Sequence, residues 1–440
     1  MSYQHPQGHV FYRKMGHGRP EISHGEGIYL WDSDGKRYID GSGGPIVVNV
    51  GHGRSAITAA MQEQAQKAAY IHATMFTSGV LEQYAAQIAP LLPLPDAKIY
   101  PLSSGSEVVE GAIKLARQIQ MARGENGRFL TISRSQSYHG TTFGALAVSG
   151  RVGMRSPYLP MMADVPHIQP PYPYRHPASG AELAARLEEA IQASGPQNVA
   201  AFIAEPISGA GLGAIVPPDD YWPRIRAICD RYGVLLIADE VLVGMGRTGQ
   251  WWGINHWDVQ PDILVTAKGV AGGYFPFGFV AAKGEDVALI YEKLGDFNHG
   301  GTFSHHAVGA AAALATLHIM QEENLVENAA VVGQYLGQRL YHTFSEHPHV
   351  GDIRGRGLFW ALELVQDRES KRPFPAKEKI APALHKLAFD LGLIIYYGQG
   401  NADGSNGDLV MLGPPLITTK AQADEMVEIL ETAVKQKLGR

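Results

Sequence analysis

Leu235-Leu236-Ile237-Ala238-Asp239-Glu240-Val241 is an apolar run that stops at an acid, and Asp262-Ile263-Leu264-Val265-Thr266-Ala267-Lys268-Gly269 is another that stops at a lysine. Neither run alternates polar with apolar residues, so each reads as a strand buried on both faces, the kind found in a parallel sheet between helices. Taken singly, Asp239 is an ordinary strand terminus and Lys268 an ordinary surface lysine. At neighbouring strand ends they could grip a heterocyclic cofactor at two points. The acid would hold a protonated ring nitrogen, and the lysine would form a Schiff base with an aldehyde.

The chain on either side of the pair supports such a sheet. Strand RFLTIS at 128–133, helix ELAARLEEAIQAS at 182–194, strand NVAAFIAEP at 198–206 and helix YWPRIRAICDRYG at 221–233 alternate up to Asp239. Strands alternating with helices indicate an α/β fold with a mostly parallel sheet covered on both faces. Residues 1–24 are polar and irregular, and GIYLWDSDGKRYIDG at 27–41 predicts two short strands around a turn at Asp34-Gly35. Helical spacing runs from Arg54 to Leu92, and an Ala-rich helix from His305 to about Glu322 leads to a last lobe. That lobe carries the strand pattern VGDIRGRGLFWALELV at 350–365 and ends in an amphipathic helix at 420–438. The expected division is an N-terminal segment, 1–60, contributing to a small domain, a large domain over 61–325, and a C-terminal small domain over 326–440.

In an open parallel sheet ligands sit beyond the carboxyl ends of the strands, and the unusual residues of this chain fall at such ends. After KIY at 98–100 come Ser103-Ser104-Gly105-Ser106-Glu107 and a helix. Free N–H groups, a small Gly105 and hydroxyls at a helix start make an anion cradle, although the same residues serve as a plain helix cap. Tyr138-His139-Gly140 follows strand RFLTIS, where an aromatic face could stack on a planar ring. Glu205 ends strand VAAFIA, and its carboxylate could help position an imine. Val241 shares a side of its strand with Asp239 and could pack flat on the ring. Gly300-Gly301-Thr302-Phe303-Ser304 is a second small hydroxyl-bearing loop, able to give Thr302 to a phosphate oxygen or to be an ordinary turn. The group that all of these suit is pyridoxal phosphate.

Other functions are disfavoured. The 440 residues, 45% hydrophobic, can bury a large core, and 37 Lys plus Arg against 43 Asp plus Glu give a charge of −6 with no basic footprint for nucleic acid or membrane. Cys229 is the only cysteine, so neither a disulfide framework nor a structural zinc site is expected. The N-terminus has no signal-peptide pattern and no run of 18 apolar residues occurs, which predicts a cytoplasmic protein. Gly244-Met245-Gly246-Arg247-Thr248-Gly249 satisfies the dinucleotide fingerprint GxGxxG, but the QWWGINHWD after it lacks the spacing of a phosphate-binding helix. No GxxxxGK[ST] accompanies LLIADE, and His305-His306 has no metal-pair spacing.

The series LLIADEVLVGMGRTG followed by TAKG, with SSGSE, YHG, EP and GGTFS in order, resembles the class III pyridoxal-phosphate aminotransferases, the omega-aminotransferase group, over about residues 25 to 435. The resemblance implies a fold type I transferase: a large domain with a mostly parallel sheet between helices, and a smaller α/β domain from both chain ends. It implies that Lys268 carries the Schiff base, Asp239 binds the pyridine nitrogen, and Val241 and Tyr138 take the two ring faces. Gly105 and Ser106 would hold the phosphate, with Thr302 supplied by the second subunit of a homodimer or dimer of dimers whose active sites are shared. His139 and Glu205 complete the expected cofactor-binding set.

The implied reaction moves an amino group from a primary amine or omega-amino acid to a keto acid in two half-reactions, with ping-pong kinetics. An aminomutase, racemase or decarboxylase would use the same lysine and acid, and a nicotinamide oxidoreductase is the reading outside the family. The sequence departs from many relatives where substrate is read. Ala210 stands where they carry a Glu, and the stretch YYGQGNADGSNGDLVML before Gly413-Pro414-Pro415-Leu416 contains no arginine. The segment PPYPYRHP at 170–177 and the loop at 398–408 are expected pocket walls, with Arg175 a candidate carboxylate binder.

Overall fold

The computed structural model describes residues 2–3, 8–15 and 18–439. Its largest sheet has seven strands, in the order Lys98–Leu102, Gly278–Ala282, Ile263–Thr266, Leu235–Asp239, Val199–Ala204, Leu130–Arg134 and His167–Ile168. From Ile263–Thr266 to His167–Ile168 every neighbouring pair is parallel, whereas Gly278–Ala282 runs antiparallel to both strands beside it. Every residue of Val199–Ala204, Leu235–Asp239 and Ile263–Thr266 is buried, because alternate side chains enter two different cores. Ile203, Leu235 and Val265 meet Val108, Ala112 and Leu115 of helix Gly105–Ala122 on one face. Phe202, Leu236 and Leu264 meet Leu187, Trp222 and Ile225, from helices Gly180–Ser194 and Tyr221–Tyr232, on the other. Full burial of such a side chain contributes about 1.5–3 kcal/mol, which is why both faces of these strands are apolar.

A smaller antiparallel sheet follows in the order Val350–Arg356, Phe359–Asp367, Asp408–Leu412 and Tyr396–Gln399. Helices Leu325–Phe344, Ile380–Asp390 and Lys420–Leu438 pack with it. The N-terminal hairpin, Tyr29–Asp32 with Arg37–Asp40, joins this end of the chain: Ile39 pairs with Leu393 and Asp40 with Ile394, in parallel. Lys36 also donates to the carbonyl of Asp390. The architecture is the α/β fold with a parallel-rich sheet and a smaller part built from both chain ends.

One local expectation changes, and two elements have no counterpart in the sequence pattern read above. The helical stretch from Arg54 to Leu92 is two helices, Ser55–Ala68 and Gly79–Ile88, with a non-helical connection that exposes Met75 and Phe76. Gly278–Ala282 is a strand that the sequence reading passed over. Helix Leu325–Phe344, also unread, packs so closely on the turn at Gly357 that a Cβ on Gly333 would lie 2.1 Å from the Gly357 carbonyl carbon. No helix of the described residues is long and apolar enough to cross a membrane.

Candidate active site

The parallel strands end at one rim, and the chain leaving each end turns a polar residue into a cavity of about 370 Å³. Gly105, Ser106, Tyr138, His139, Glu205, Asp239, Val241 and Lys268 all line it. Thr302 does not; it is exposed on the surface of its own chain. Lys268 follows strand Ile263–Thr266 with φ +45°, a left-handed backbone for a non-glycine residue, which holds the side chain at the cavity at an order of 1 kcal/mol of strain. Burial lowers its ammonium to about 8, while Asp239 and Glu205 pull it upward and Arg247 lowers it further. About a tenth of Lys268 is therefore neutral at pH 7.

Asp239 is buried, and its carboxylate is held from two sides. Oδ2 lies 2.6 Å from Nδ1 of His139, and Oδ1 accepts the Val241 N–H at 3.0 Å. His139 is thereby fixed with Nδ1 facing the carboxylate, while its Nε2 is buried without a partner. Glu205 accepts the Gly209 N–H at Oε1, 3.0 Å, and its Oε2 is likewise buried and unpaired. Desolvation raises the Glu205 carboxyl above the ordinary range, with the Asp239 charge acting in the same direction and His139 against it.

One end of the cavity is the start of helix Gly105–Ala122. Ser104 caps that helix by accepting the Glu107 N–H at 3.3 Å, and Glu107 accepts the Ser103 N–H at 2.9 Å. Gly105 and Ser106 occupy the first helical positions, whose N–H groups have no acceptor within the helix and which carry the positive end of the dipole. Capping thus leaves these N–H groups free for an anion. Ser106 Oγ accepts the Thr141 N–H at 3.0 Å and keeps its own proton for an acceptor in the cavity. Gly105 lies against Val241, where a Cβ would sit 3.0 Å from Cγ1.

The family model described as aminotransferase class-III matches residues 13–434. The chain belongs to the class III aminotransferases. It is 38% identical to an aminotransferase of Schizosaccharomyces pombe, over 97% of this chain and 95% of that one. It is 34% identical to the putrescine–pyruvate aminotransferase of Pseudomonas aeruginosa, over 94% and 90%. Among solved structures, a thermostable (S)-enantioselective omega-transaminase from Thermomicrobium roseum superposes with a TM-score of 0.91 at 36% identity, covering 98% of this chain and 97% of that one. This class III aminotransferase is accordingly an enzyme that transfers an amino group from a small amine to a keto acid, in a family that depends on pyridoxal phosphate.

Three expectations about the aminotransferase are corrected. Arg175 is not free for substrate: its Nε donates to Glu363 Oε1 at 2.5 Å and its Nη1 to the Lys371 carbonyl. Glu363 is fully buried and also accepts from Tyr172 and Arg354, so withdrawing Arg175 would unbalance a buried charge cluster. Segment 170–177 therefore braces the smaller sheet and lines no part of the cavity at Lys268. The loop at 398–408 lines a separate, smaller cavity instead. In the GxGxxG stretch, Arg247 is buried and bonds Asn49 and the carbonyls of Leu358 and Pro414, a brace between lobes with no phosphate helix after it.

The sequence reading also missed walls of the cavity: Phe275, Pro276 and Phe277 after the Gly272-Gly273 turn, and Val47 from the N-terminal segment. Three aromatics, Tyr274, Phe275 and Phe277, following a glycine pair beside the lysine were the available signal.

Proposed function

We propose that this aminotransferase holds pyridoxal phosphate in the cavity at Lys268, with Asp239 at the pyridine nitrogen, Tyr138 and Val241 on the ring faces, and the N–H groups of Gly105 and Ser106 with the Ser106 hydroxyl on the phosphate. The observation that carries this reading is the convergence, in one cavity, of a lysine depressed to about 8, a buried carboxylate and a helix start with free N–H groups. The unpaired His139 Nε2 and Glu205 Oε2 supply the polar contacts that a heterocycle with ring nitrogen, phenol and aldehyde can use. When bound, pyridoxal phosphate supplies an aldehyde that takes the substrate amine and a ring that accepts an electron pair.

The chain's own part follows from the geometry. Neutral Lys268 Nζ would be the amine that holds the aldehyde carbon of the bound group, and when freed it would be the base placed to take a proton from the substrate and return it. Asp239, steadied by His139, places a negative charge where a ring nitrogen would carry a proton. A carboxylate about 4 Å from such a nitrogen contributes roughly 4 kcal/mol at an effective dielectric near 20, or about three pKa units. The apolar walls Val241, Phe275 and Phe277 exclude water and suit small amines. Thr302 is assigned to the phosphate in a second copy's cavity, which makes the working unit a homodimer with shared sites. A small primary amine or omega-amino acid is the donor and a keto acid the acceptor, as for the putrescine–pyruvate relative.

Borohydride reduction of the purified enzyme followed by peptide mapping tests the assignment. The cofactor is expected on Lys268, with amines bleaching its absorbance as ketone or aldehyde is released. A lysine-linked chromophore that survives in Lys268→Ala sinks it.

A further inference from the structure

A keto acid brings a carboxylate, yet no arginine lines the cavity at Lys268. Burying that carboxylate without a cation costs several kcal/mol, which a cation beside the cavity would offset. Arg151 is placed for this. Its charge acts on the phenol of Tyr138, which lines the cavity. Arg151 itself lines an adjoining cavity of about 180 Å³ with Gln136, Gly211, Gly400, Gly404 and Ser405. Gly211 is bonded to Ala210, which lines the first cavity, and lies against the Gln136 carbonyl two residues before Tyr138, so the two volumes adjoin across the backbone at 136–138 and 210–211.

The far wall of the second volume is the 398–408 loop, the arginine-free stretch before Gly413-Pro414-Pro415-Leu416. Gly404 is close enough to Arg151's neighbour that a Cβ there would lie 3.6 Å from Val152 Cγ2. The cation therefore faces the stretch that lacks one. Among the described residues, the half-buried Arg151 guanidinium makes no hydrogen bond and no ion pair, in contrast to Arg175 and Arg354, each of which bonds Glu363 and a backbone carbonyl. Arg13 acts on Tyr138 more strongly than Arg151 does, but it is exposed and lines a wide surface groove with Tyr138, Phe143 and Tyr158, where water screens its charge from a bound carboxylate.

We infer that Arg151 is the specificity-determining residue for the substrate carboxylate, reaching past the Tyr138 edge and the Ala210 side of the cavity. The inference rests on the transaminase reading above and names the part of its substrates that this chain selects, the carboxylate of keto acids and omega-amino acids. Two measurements on the cofactor-loaded enzyme test it: calorimetric binding of propionate, which cannot react, and KM for pyruvate against KM for uncharged propanal.

Arg151→Gln is expected to weaken propionate binding about 10- to 100-fold and to lower the preference for pyruvate over propanal by a similar factor, the worth of one charge-assisted contact. Arg151→Lys should recover part of both, and retained cofactor absorbance shows each variant to be folded and loaded. Propionate binding within threefold of wild type in Arg151→Gln overturns the inference, as does the loss appearing in Arg13→Gln instead. A wild-type enzyme that releases no ketone or aldehyde from any amine refutes the transaminase reading separately, because propionate binding still reports on Arg151.

Discussion

Lys268 should titrate as no surface lysine does, and the cofactor-free enzyme can show it. With its ammonium lowered to about 8, the neutral fraction at pH 7 is about 0.09, against about 0.0003 for a lysine at the ordinary value, so its amine should capture an aldehyde roughly 300-fold faster for equal intrinsic reactivity. The rate should climb about tenfold per pH unit below 8 and level off above it. Stopped-flow absorbance after mixing with pyridoxal phosphate, from pH 6 to 10, reads this directly. Glu205→Gln removes a carboxylate that pulls the ammonium upward, so the plateau should begin at lower pH in that variant.

The same shift has a stability consequence of definite sign. Between about 8 and the unfolded value near 10.4 the unfolded chain binds more protons at this site, so this group makes the cofactor-free enzyme more stable as pH rises through that window. A capture rate that keeps rising steeply to pH 10, or aldehyde found on other lysines, refutes the reasoning.

Glu363→Gln leaves Arg175 and Arg354 without their shared buried carboxylate and should destabilise the enzyme by about 3 kcal/mol, seen as a lower denaturant midpoint; an unchanged midpoint would show the cluster to be incidental. Gly140→Ala forces a side chain at φ +141° to within 2.7 Å of Ser106 Oγ, so cofactor content per chain should fall, and full occupancy would argue against Ser106 as a phosphate ligand. Gly333→Ala has no room against Gly357 and should cost about 3 kcal/mol in thermal or denaturant unfolding, with the cavity at Lys268 untouched.

The buried strands were legible because Val199–Ala204, Leu235–Asp239 and Ile263–Thr266 must feed two cores and so carry no polar face. Gly278–Ala282 is equally apolar, but no crossover helix precedes it, so the rhythm that marked the parallel strands gave no cue. The strand-end residues Glu205, Asp239 and Lys268 could be placed at one rim by topology alone. The His139 to Asp239 contact could not, since it joins residues 100 apart through side-chain direction. Arg175 misled for a related reason: nothing local to it announces a partner 188 residues on. Arg151 was silent because a lone arginine after a glycine has no pattern at all until Tyr138 and the 398–408 loop are folded beside it.

The parallel pairing of Arg37–Asp40 with Leu393–Ile394 has a consequence for how the chain is made. Lys36 finds the Asp390 carbonyl 354 residues later, so the hairpin that leaves the ribosome early has its outer edge uncovered through most of translation. An open edge of this kind invites pairing with other chains, and closing it late is slow because the contact is so remote. The seven-stranded sheet, whose strands span residues 98–282, can assemble meanwhile. The last fifty residues are thus the step that closes this edge, and a nascent chain stalled short of them would hold the strands of the large sheet with its N-terminal hairpin edge still open.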